Sequence, residues 1–437
     1  METIFAPATA RGVGGVAVVR ISGDRASAAL KALSGGEMGP PRLAVLRTLR
    51  DPASGEVLDE ALVLGFRAPH SFTGEDVVEL HLHGGLAVVD SVVEGLGRIE
   101  GLRLAEPGEF SRRAVENGKF DLSAAEGIAD LIEAETGAQR RQALRQMGGA
   151  FGILCDGWRE ALVKALAYVE AEIDFADEDI PEDLSRTVGP GLIAVEGEIA
   201  RFLADRRGEK IRDGIFVAVV GPPNAGKSSL VNTLARRDAV IVSEEAGTTR
   251  DIVEVRLSLG GLPVTICDTA GLREAEGAIE REGIKRARKA AADADLRIWM
   301  AGADQMVDFD EEAQPDDLKV INKTDLPGVD GVPDGWLGLS LATGAGVEAL
   351  ETALSRRIGD LYGETEAPTV TRARHRRELT VCLEALRAAL GLLAGDGETA
   401  LVAEEIGRAV RALGRITGRV DVEELLDVVF RDFCIGK

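Results

Sequence analysis

The chain has 437 residues, of which 45% are hydrophobic, and a formal net charge of -23 at pH 7. This length suggests roughly two to four domains, and so much apolar material excludes a chain that is disordered throughout. The charge excludes a surface that binds nucleic acid over its whole area, so contact with RNA requires a local basic patch or a partner. The candidates for such a patch are Arg140, Arg141 and Arg145, and Arg372, Arg374, Arg376 and Arg377. Solvated helix faces are the alternative explanation for both groups.

The sequence lacks the marks of a membrane or secreted protein. No apolar run reaches the ~18 residues that a membrane-spanning helix needs, and the amino terminus lacks the layout of a signal peptide. The four cysteines are scattered and form no Cys-x-x-Cys pair, which favours a reducing compartment over a disulfide framework or a zinc site. We therefore expect a cytoplasmic protein that does not contact a membrane.

Residues 1–118 mix short β-like runs with turns rich in glycine and proline. The runs at 15–21, 61–66 and 77–82 are apolar and are bounded by turn residues, a pattern that predicts strands. We expect an α+β domain here. From 119 to 213 the pattern becomes helical, because apolar residues recur at helical spacing. They include Leu122, Ala125, Ile128 and Ile132.

An α/β segment interrupts the helical pattern. Residues 214–363 alternate strand-like and helical runs, and residues 364–437 are helical again. The last helix places apolar side chains on one face: Leu425, Leu426, Val429, Phe430 and Phe433. Each flanking helical stretch has an apolar face to bury, and the other stretch is its natural partner. The sequence thus predicts one discontinuous helical domain, 119–213 with 364–437, that carries an inserted α/β domain.

The clearest local motif is a phosphate-binding loop. Gly-Pro-Pro-Asn-Ala-Gly-Lys-Ser at 221–228 follows the apolar run 215–220 and precedes a helical run, which is the strand–loop–helix setting that a P-loop requires. Its glycines let backbone N–H groups turn toward phosphate, and the helix adds its positive end. Lys227 is expected to reach the β- and γ-phosphates, and Ser228 to ligate Mg²⁺.

Two further motifs follow in the order of a GTPase. Asp-Thr-Ala-Gly at 268–271 comes after a second apolar run. Asp268 can hold Mg²⁺ through water, and the N–H of Gly271 can sense the γ-phosphate. Between the two motifs, Thr248 and Thr249 lie in a turn-rich loop. Thr249 is the expected switch residue, closing on Mg²⁺ only when the γ-phosphate is present.

The base-binding motifs predict selection of guanine. Asn-Lys-Thr-Asp at 322–325 follows an apolar run. The Asp325 carboxylate can accept from N1–H and the 2-amino group of guanine, whereas adenine would leave it unpaired at a cost of ~1–3 kcal/mol. Ser340, Leu341 and Ala342 fit the last base-contacting loop, although the second position is usually small and a basic residue usually follows. Together the motifs predict an inserted P-loop GTPase domain of the Ras-like kind.

The hydrolytic groups depart from those of many small GTPases. A glutamine often follows the Asp-Thr-Ala-Gly motif and orients water, but this chain has Leu272 there. Asn224 offers a carbonyl oxygen near the phosphates that could help hold a monovalent cation in place of an arginine finger; stabilising the loop turn is its alternative role. Glu280 is a candidate carboxylate, and a solvated surface glutamate is the alternative. His81 and His83 alternate on a strand, where ordinary strand positions explain them better than a metal.

Several motifs resemble one family over essentially the full length. They are Val-Val-Arg-Ile-Ser-Gly at 18–23, Phe-Thr-Gly-Glu-Asp at 72–76, His-Gly-Gly at 83–85, Pro-Gly-Glu-Phe-Ser at 107–111, Asn-Gly-Lys-Phe-Asp-Leu at 117–122 and Phe-Cys-Ile-Gly-Lys at 433–437. The chain thereby resembles the MnmE (TrmE) family of GTPases that modify the wobble uridine of tRNA. This resemblance implies that 1–118 is a tetrahydrofolate-binding-like domain through which the protein forms a homodimer, and that 214–363 is the GTPase domain.

The resemblance also implies the nucleotide and metal ligands. Potassium would be held by Asn224, Ser243, the carbonyl of Glu245 and Thr248, and Mg²⁺ by Ser228 and Thr249. Glu280 would be the hydrolytic glutamate, acting with Lys227. The predicted nucleotide-binding set is Asn224, Ala225, Gly226, Lys227, Ser228, Ser229, Ser243, Glu244, Glu245, Ala246, Gly247, Thr248, Thr249, Asp268, Thr269, Ala270, Gly271, Asn322, Lys323, Asp325, Ser340, Leu341 and Ala342.

The same resemblance implies a folate site and partners. Arg20, Glu79, Lys119 and Lys437 would bind a tetrahydrofolate derivative (5-formyl- or methylene-tetrahydrofolate), and Cys434 would serve tRNA modification. Without the family, the four charges fit surface positions and Cys434 fits a small buried residue. The implied partner is the FAD-containing flavoprotein MnmG, in a heterotetramer that adds an aminomethyl or carboxymethylaminomethyl group at uridine C5.

Two other functions remain open from the sequence. A ribosome-assembly GTPase would explain the nucleotide motifs but not the folate-like amino-terminal region or the carboxyl-terminal motif. A folate-dependent one-carbon transferase with a regulatory GTPase domain is the second alternative. Turnover without the flavoprotein would favour that transferase.

Overall fold

The computed structural model describes residues 2–174, 184–238, 254–268, 289, 291–305, 314–329, 331–363, 365, 367–395, 397–420, 422–431, 433 and 436. The chain forms two compact units. One comprises Met1–Ala129, Gln146–Leu192 and Glu384–Lys437, and the other Asp130–Arg145 and Ile193–Leu383. The predicted domain boundaries near 118, 213 and 363 stay a prediction.

The amino-terminal region is an α+β fold built on one six-stranded sheet. Its strands are β1 (Thr3–Pro7), β2 (Val16–Ser22), β3 (Val45–Arg50), β4 (Val57–Phe66), β5 (Val77–His83) and β6 (Leu102–Leu104), in the order β3-β4-β5-β2-β1-β6. Its helices are α1 (Ala26–Ser34), α2 (Leu86–Gly97) and α3 (Glu109–Glu116). Alternate strand residues such as Val19 and Leu80 face the apolar sides of α1 and α2. The predicted strands at 15–21, 61–66 and 77–82 correspond to β2, β4 and β5.

The following stretch is helical, as its apolar spacing predicts. It contains α4 (Leu122–Glu133), α5 (Gly137–Met147), α6 (Ala150–Asp174), α7 (Leu184–Ala204) and α8 (Arg207–Asp213). Leu122 and Ala125 are buried, whereas Ile132 at the end of the predicted face is exposed. None of the helices in the described part of the chain is both long and apolar enough to cross a membrane.

The α/β region begins directly after α8, where Gly214 has a φ of 96°. Its elements are β7 (Ile215–Val220), α9 (Lys227–Asp238), β8 (Glu254–Leu259), β9 (Leu262–Asp268), β10 (Leu296–Gly302), β11 (Leu318–Asn322), β12 (Leu337–Gly338) and α10 (Val347–Tyr362). The sheet order is β12-β11-β10-β7-β9-β8, and β8 alone of these strands is antiparallel to its neighbour. The carboxyl ends of the parallel strands therefore meet at one edge, where ligands bind in such sheets.

The chain then returns to helices that pack on the earlier ones. They are α11 (Ala373–Ala394), α12 (Thr399–Thr417) and α13 (Val422–Arg431). Helix α12 lies along α6, and Leu426, Phe430 and Phe433 form one buried cluster with Leu122 and Ala125. Helices from the two sides of the α/β region thus bury each other's apolar faces, which confirms the predicted discontinuous helical domain.

The two connections to the α/β region run side by side within the second unit. A Cβ on Gly208 of α8 would lie 2.7 Å from Thr369 Cβ. Arg376 Nε donates to Glu209 Oε1 at 2.6 Å, and its Nη1 donates to the Leu203 carbonyl at 2.6 Å. The segment that enters the α/β region is therefore tied to the segment that leaves it.

Candidate functional site

The P-loop has the backbone that its motif predicts. Gly221 and Gly226 have φ values of 142° and 104°, a region that glycine enters without strain. A Cβ on Gly221 would collide with the Met300 carbonyl, and one on Gly226 with the Asn322 amide. Asn224 has a φ of 61°, which asparagine tolerates better than most residues. The loop thus curls at the carboxyl end of β7 and leads directly into α9.

Lys227, the first residue of α9, crosses the mouth of this loop. Its Nζ donates to the carbonyls of Gly221 at 2.9 Å and Pro222 at 2.8 Å, and the residue is buried. Asp268 ends β9 beside Val219 of β7 and is also buried. The structure therefore brings the predicted phosphate-binding lysine and the predicted magnesium-linked carboxylate to the same edge of the sheet.

Asn322 joins two loops of the site. Its Nδ2 donates to the Ala225 carbonyl at 2.9 Å, and its Oδ1 accepts from the N–H of Leu341 at 3.1 Å. The residue is 4% exposed. One side chain at the end of β11 thus fixes the P-loop relative to the predicted base loop. Asp325 lies exposed three residues further on.

The neighbouring lysine of the motif is also held in place. Lys323 has a φ of 65°, and its Nζ lies 2.7 Å from Asp304 Oδ2. The hydrogen bond from Lys323 lowers the pKa of Asp304. Asp304 and Gln305 follow β10, and Gln305 Nε2 donates to the Pro223 carbonyl of the P-loop at 2.6 Å. Sequence reasoning missed these two residues because no local motif marks them.

The predicted base loop is a closed turn. Ser340 N–H donates to the Ala345 carbonyl at 2.9 Å, and Ser340 Oγ accepts from Thr343 N–H at 3.2 Å. Leu341, which occupies the position of a usually small residue, packs against the apolar core of the α/β region. Its side chain is therefore directed into the protein, and Ala342 is exposed.

Other predicted residues lie outside the described part of the chain. They are Ser243, Glu244, Glu245, Ala246, Gly247, Thr248, Thr249, Thr269, Ala270, Gly271, Glu280, Cys434 and Lys437. In the sequence, residues 243–249 precede β8, and residues 269–271 and Glu280 follow β9. Their predicted roles in binding and hydrolysis stay predictions.

Two of the predicted folate residues form an ion pair. Arg20 of β2 lies opposite Glu79 of β5, with Nη2 2.9 Å from Oε1, and each side chain is 18% exposed. The Arg20 guanidinium also lies over the ring of Phe72, 5.1 Å from its centroid. These charges are therefore paired and largely buried rather than solvated, which corrects the reading of them as surface charges.

Lys119 lies on the loop after α3. Its Nζ donates to the Pro69 carbonyl at 2.7 Å, and its Cδ lies 3.3 Å from where a Cβ on Gly74 would be. The segment 69–74 thus contacts Lys119 through Pro69 and Arg20 through Phe72.

A buried charge network explains other family-like motif residues. Arg113 is 5% exposed; it pairs with Glu75 at 3.1 Å and Glu109 at 2.9 Å. Arg103 pairs with Glu109 at 2.6 Å. Burial alone would raise the pKa of Glu109, but the hydrogen bonds from Arg103, the Glu106 N–H and Arg113 outweigh it and lower that pKa. The two motifs at 72–76 and 107–111 thus hold the amino-terminal fold together.

The arginines of the two candidate basic patches differ in their contacts and exposure. Arg372 pairs with Asp130 at 2.6 Å, and Arg376 is committed to Glu209 and to backbone carbonyls. These two arginines stabilise their own unit, whereas the side chain of Arg377 in the same patch is 69% exposed. Arg140 and Arg141 are exposed.

Comparison with known proteins assigns the family. Residues 3–119 match the family described as "GTP-binding protein TrmE N-terminus", and residues 122–434 match the "MnmE helical domain". The chain belongs to the MnmE family. The predicted family and the multidomain fold class are thereby confirmed, as is the assignment to the GTP hydrolases. A ribosome-assembly GTPase of another branch is set aside.

Relatives across the whole length carry the name "tRNA modification GTPase MnmE". That of Parvibaculum lavamentivorans is 59% identical over 440 residues, that of Rhodospirillum rubrum 52% over 462 and that of Caulobacter vibrioides 48% over 450. Each alignment covers 100% of both chains. Among solved structures, the G domain of the T. maritima FeoB iron transporter aligns with 32% of this chain and 98% of its own at 22% identity. The TM-score of that alignment is 0.24.

Proposed function

We propose that the protein is a potassium-activated GTPase that acts with the flavoprotein MnmG to modify C5 of the wobble uridine in certain tRNAs. In this proposal a folate supplies the one-carbon unit, and the product carries an aminomethyl or carboxymethylaminomethyl group. The observation that carries it is the full-length family match, joined to the assembled nucleotide edge. The homodimer, the heterotetramer with MnmG and the cytoplasmic location belong to the same proposal.

The nucleotide edge supports GTP with Mg²⁺. Lys227 would bind the β- and γ-phosphates, and the Ser228 hydroxyl and buried Asp268 are oxygen donors of the kind that Mg²⁺ prefers. When bound, the metal would neutralise charge on the phosphates. Asn322 keeps the P-loop and base loop at a fixed separation, and Asp325 would read the guanine edge. Thr249 and Glu280 are the proposed switch and hydrolytic residues.

Potassium activation is proposed for Asn224, with Ser243, Glu245 and Thr248. Asn224 has a left-handed backbone conformation. This conformation is compatible with cation binding by the side chain and also with a role in stabilising the loop turn. The two roles separate in Asn224→Gly, because glycine adopts the same φ without strain while the amide oxygen is lost. We expect hydrolysis to be faster in K⁺ than in Na⁺ at equal ionic strength, and this ratio to fall to about one in the variant. Equal wild-type rates of hydrolysis in the two salts would rule out activation by potassium.

The Arg20–Glu79 pair supports a folate site. A carboxylate suits the amino groups of a pterin, and cations such as Lys119 and Lys437 suit the glutamate tail. Because Glu79 already accepts from Arg20, its charge is held at one place on the sheet. We expect 5-formyl-tetrahydrofolate to bind the wild type and to bind Glu79→Gln at least ~10-fold more weakly, measured by calorimetry. Arg67→Ala, which removes an exposed ion pair of the same region, is the control.

The decisive test is nucleoside analysis of tRNA by mass spectrometry. Cells lacking the protein would be complemented with the wild type or with Cys434→Ser. We expect the C5-aminomethyl modifications to vanish on deletion and to return only with the wild type. If they persist on deletion, the protein remains a GTPase of this family but the tRNA reaction is not its own.

A second assay addresses the remaining alternative. A folate-dependent transferase with a regulatory GTPase domain would transfer the one-carbon unit unaided. The purified protein would be incubated with tRNA, folate and GTP, with and without the flavoprotein. Product that forms without the flavoprotein would favour the transferase over the proposed joint reaction.

A further inference from the structure

The carboxyl-terminal helix α13 docks by its apolar face. Leu426, Phe430 and Phe433 bury against Leu122 and Ala125 of α4, and the rings of Phe430 and Phe433 meet edge to face at 4.9 Å. Apolar contact is non-directional, so this cluster alone does not decide how far along its axis the helix lies. Other contacts must set that position.

The first such contact is a glycine at the start of α3. Gly108 has a φ of 68°, and its bare Cα faces the end of α13. A Cβ there would lie 2.8 Å from the Phe430 carbonyl oxygen and 2.9 Å from Phe433 Cβ. Real Cβ atoms do not approach this closely, so only glycine lets α13 come to rest here.

The second contact is an ion pair one turn further along α3. Arg112 Nη1 donates to Asp427 Oδ1 of α13 at 2.6 Å, while its Nε donates to Glu116 Oε1 at 2.9 Å. The Glu116 bond holds the guanidinium pointing along α3, and the Asp427 bond then sets the register of α13. Arg112 and Asp427 are among the residues that line a cleft of about 600 Å³.

The end of the tail lies at the predicted folate pair. Gly436 has a φ of 97°, and a Cβ on it would collide with the Pro7 carbonyl. Its own carbonyl accepts a long hydrogen bond from Arg20 Nη1 at 3.5 Å. The same guanidinium pairs with Glu79. Phe433 and Gly436 therefore each contact the amino-terminal region.

We propose that Gly108 and Arg112 are positioning residues for tRNA modification, acting by setting the register of the carboxyl-terminal tail against the Arg20–Glu79 pair. The inference rests on the proposed function. Cys434, to which the proposed function assigns a role in modification, is the next residue after Phe433 in the sequence. We call the contacts of Gly108 and Arg112 with α13 the clamp. The P-loop and Asp268 lie in the other compact unit, so we expect GTP hydrolysis not to depend on this clamp.

A charge exchange tests the ion pair in the full chain. Arg112→Asp, Asp427→Arg and the double variant would each replace the wild type in cells, with tRNA nucleosides quantified by mass spectrometry. We expect each single variant to lower the modification by about fivefold, since like charges then face each other. The double variant restores the attraction with reversed sign and should recover most of the modification. GTP hydrolysis by all three purified proteins should match the wild type.

A pair of glycine variants tests the close approach. Gly108→Ala adds both left-handed strain and the collision with α13. Gly35→Ala adds the same strain at a φ of 67°, where a Cβ would meet no atom within 4 Å. Modification should fall in Gly108→Ala and persist in Gly35→Ala, with GTP hydrolysis retained in both.

The outcomes separate the clamp from the function it serves. If deletion of the protein leaves the modifications intact, the proposed function fails and the clamp fails with it. If deletion abolishes them but Arg112→Asp modifies tRNA as the wild type does, the clamp alone is refuted. A single-variant loss that the double variant does not repair, in protein that still hydrolyses GTP, also refutes it.

Discussion

Removing the Asn322 side chain should weaken nucleotide binding by loosening two loops at once. The side chain donates to the Ala225 carbonyl in a buried position and accepts from the Leu341 N–H in a partly buried one. Asn322→Ala leaves both backbone groups without that partner. An unmade buried hydrogen bond costs ~1–3 kcal/mol, and water can reach the more exposed group, so a total of about 2 kcal/mol is expected.

That free energy becomes a change in affinity because a bound nucleotide must hold the P-loop and base loop together. At 1.4 kcal/mol per factor of ten, the dissociation constant for a fluorescent GDP analogue should rise about 30-fold. Asn322→Asp should be no better, since a carboxylate oxygen would then face the Ala225 carbonyl oxygen. The urea midpoint of nucleotide-free protein should also fall, which separates bracing from direct contact with nucleotide.

The control is Thr352→Ala on α10. This hydroxyl bonds the Glu348 carbonyl within one exposed helical turn, so its loss should change stability by no more than ~0.5 kcal/mol. If Asn322→Ala binds the analogue as tightly as Thr352→Ala does, the bracing argument is wrong. A loss of affinity with an unchanged urea midpoint would instead assign Asn322 to the nucleotide itself.

Three further predictions follow from single groups. Asp325→Asn should shift preference from GTP toward xanthosine nucleotides, and unchanged selectivity in a competition assay would refute the base-recognition argument. Burial raises the pKa of the Cys267 thiol to about 11 and of the Cys382 thiol to about 12, so iodoacetamide at pH 8 should alkylate Cys434 before either, as peptide mass spectrometry would reveal. Glu109 has a lowered pKa, so its ion pairs stabilise the fold above its ordinary pKa and are lost as pH falls through the folded value. The gap in urea midpoint between wild type and Glu109→Gln should therefore be full at pH 7 and close only as the pH falls through the lowered pKa of the folded state.

The P-loop was predictable because its information is local. Glycine spacing, the flanking apolar run and the following lysine are all contained in fourteen consecutive residues, 215–228. The discontinuous helical domain was predictable for a different reason. Periodic apolar faces such as that of α13 must be buried, and the chain offered few other faces to bury them against.

The bracing contacts were not predictable from sequence. Asn322 meets Ala225 across 97 positions of the chain, and nothing near either residue signals the pairing. The Arg20–Glu79 pair depends on the register of β2 against β5, and a shift of one residue would send the two side chains to the other face. Without that register, both read as ordinary surface charges.

Leu341 shows how the structure accommodates a departure from the usual motif. The sequence has a leucine at a position that is usually small. In the structure its N–H donates to Asn322, and its partly buried side chain packs against the core of the α/β region. A change of side-chain size is therefore absorbed by packing, and the backbone geometry on which the loop depends is kept.

Because Gly208 and Thr369 are in contact, the α/β region is an insertion whose two ends lie next to each other. The segments that enter and leave the α/β region are in van der Waals contact. The insertion therefore bridges the same short distance between the flanking segments, whatever its own length. Closing a longer loop costs little more than closing a short one. Replacing the predicted insert, residues 214–363, by a short glycine–serine linker should therefore still allow the helices on either side to pack together. An unrelated domain whose two ends lie close together could be inserted at the same position.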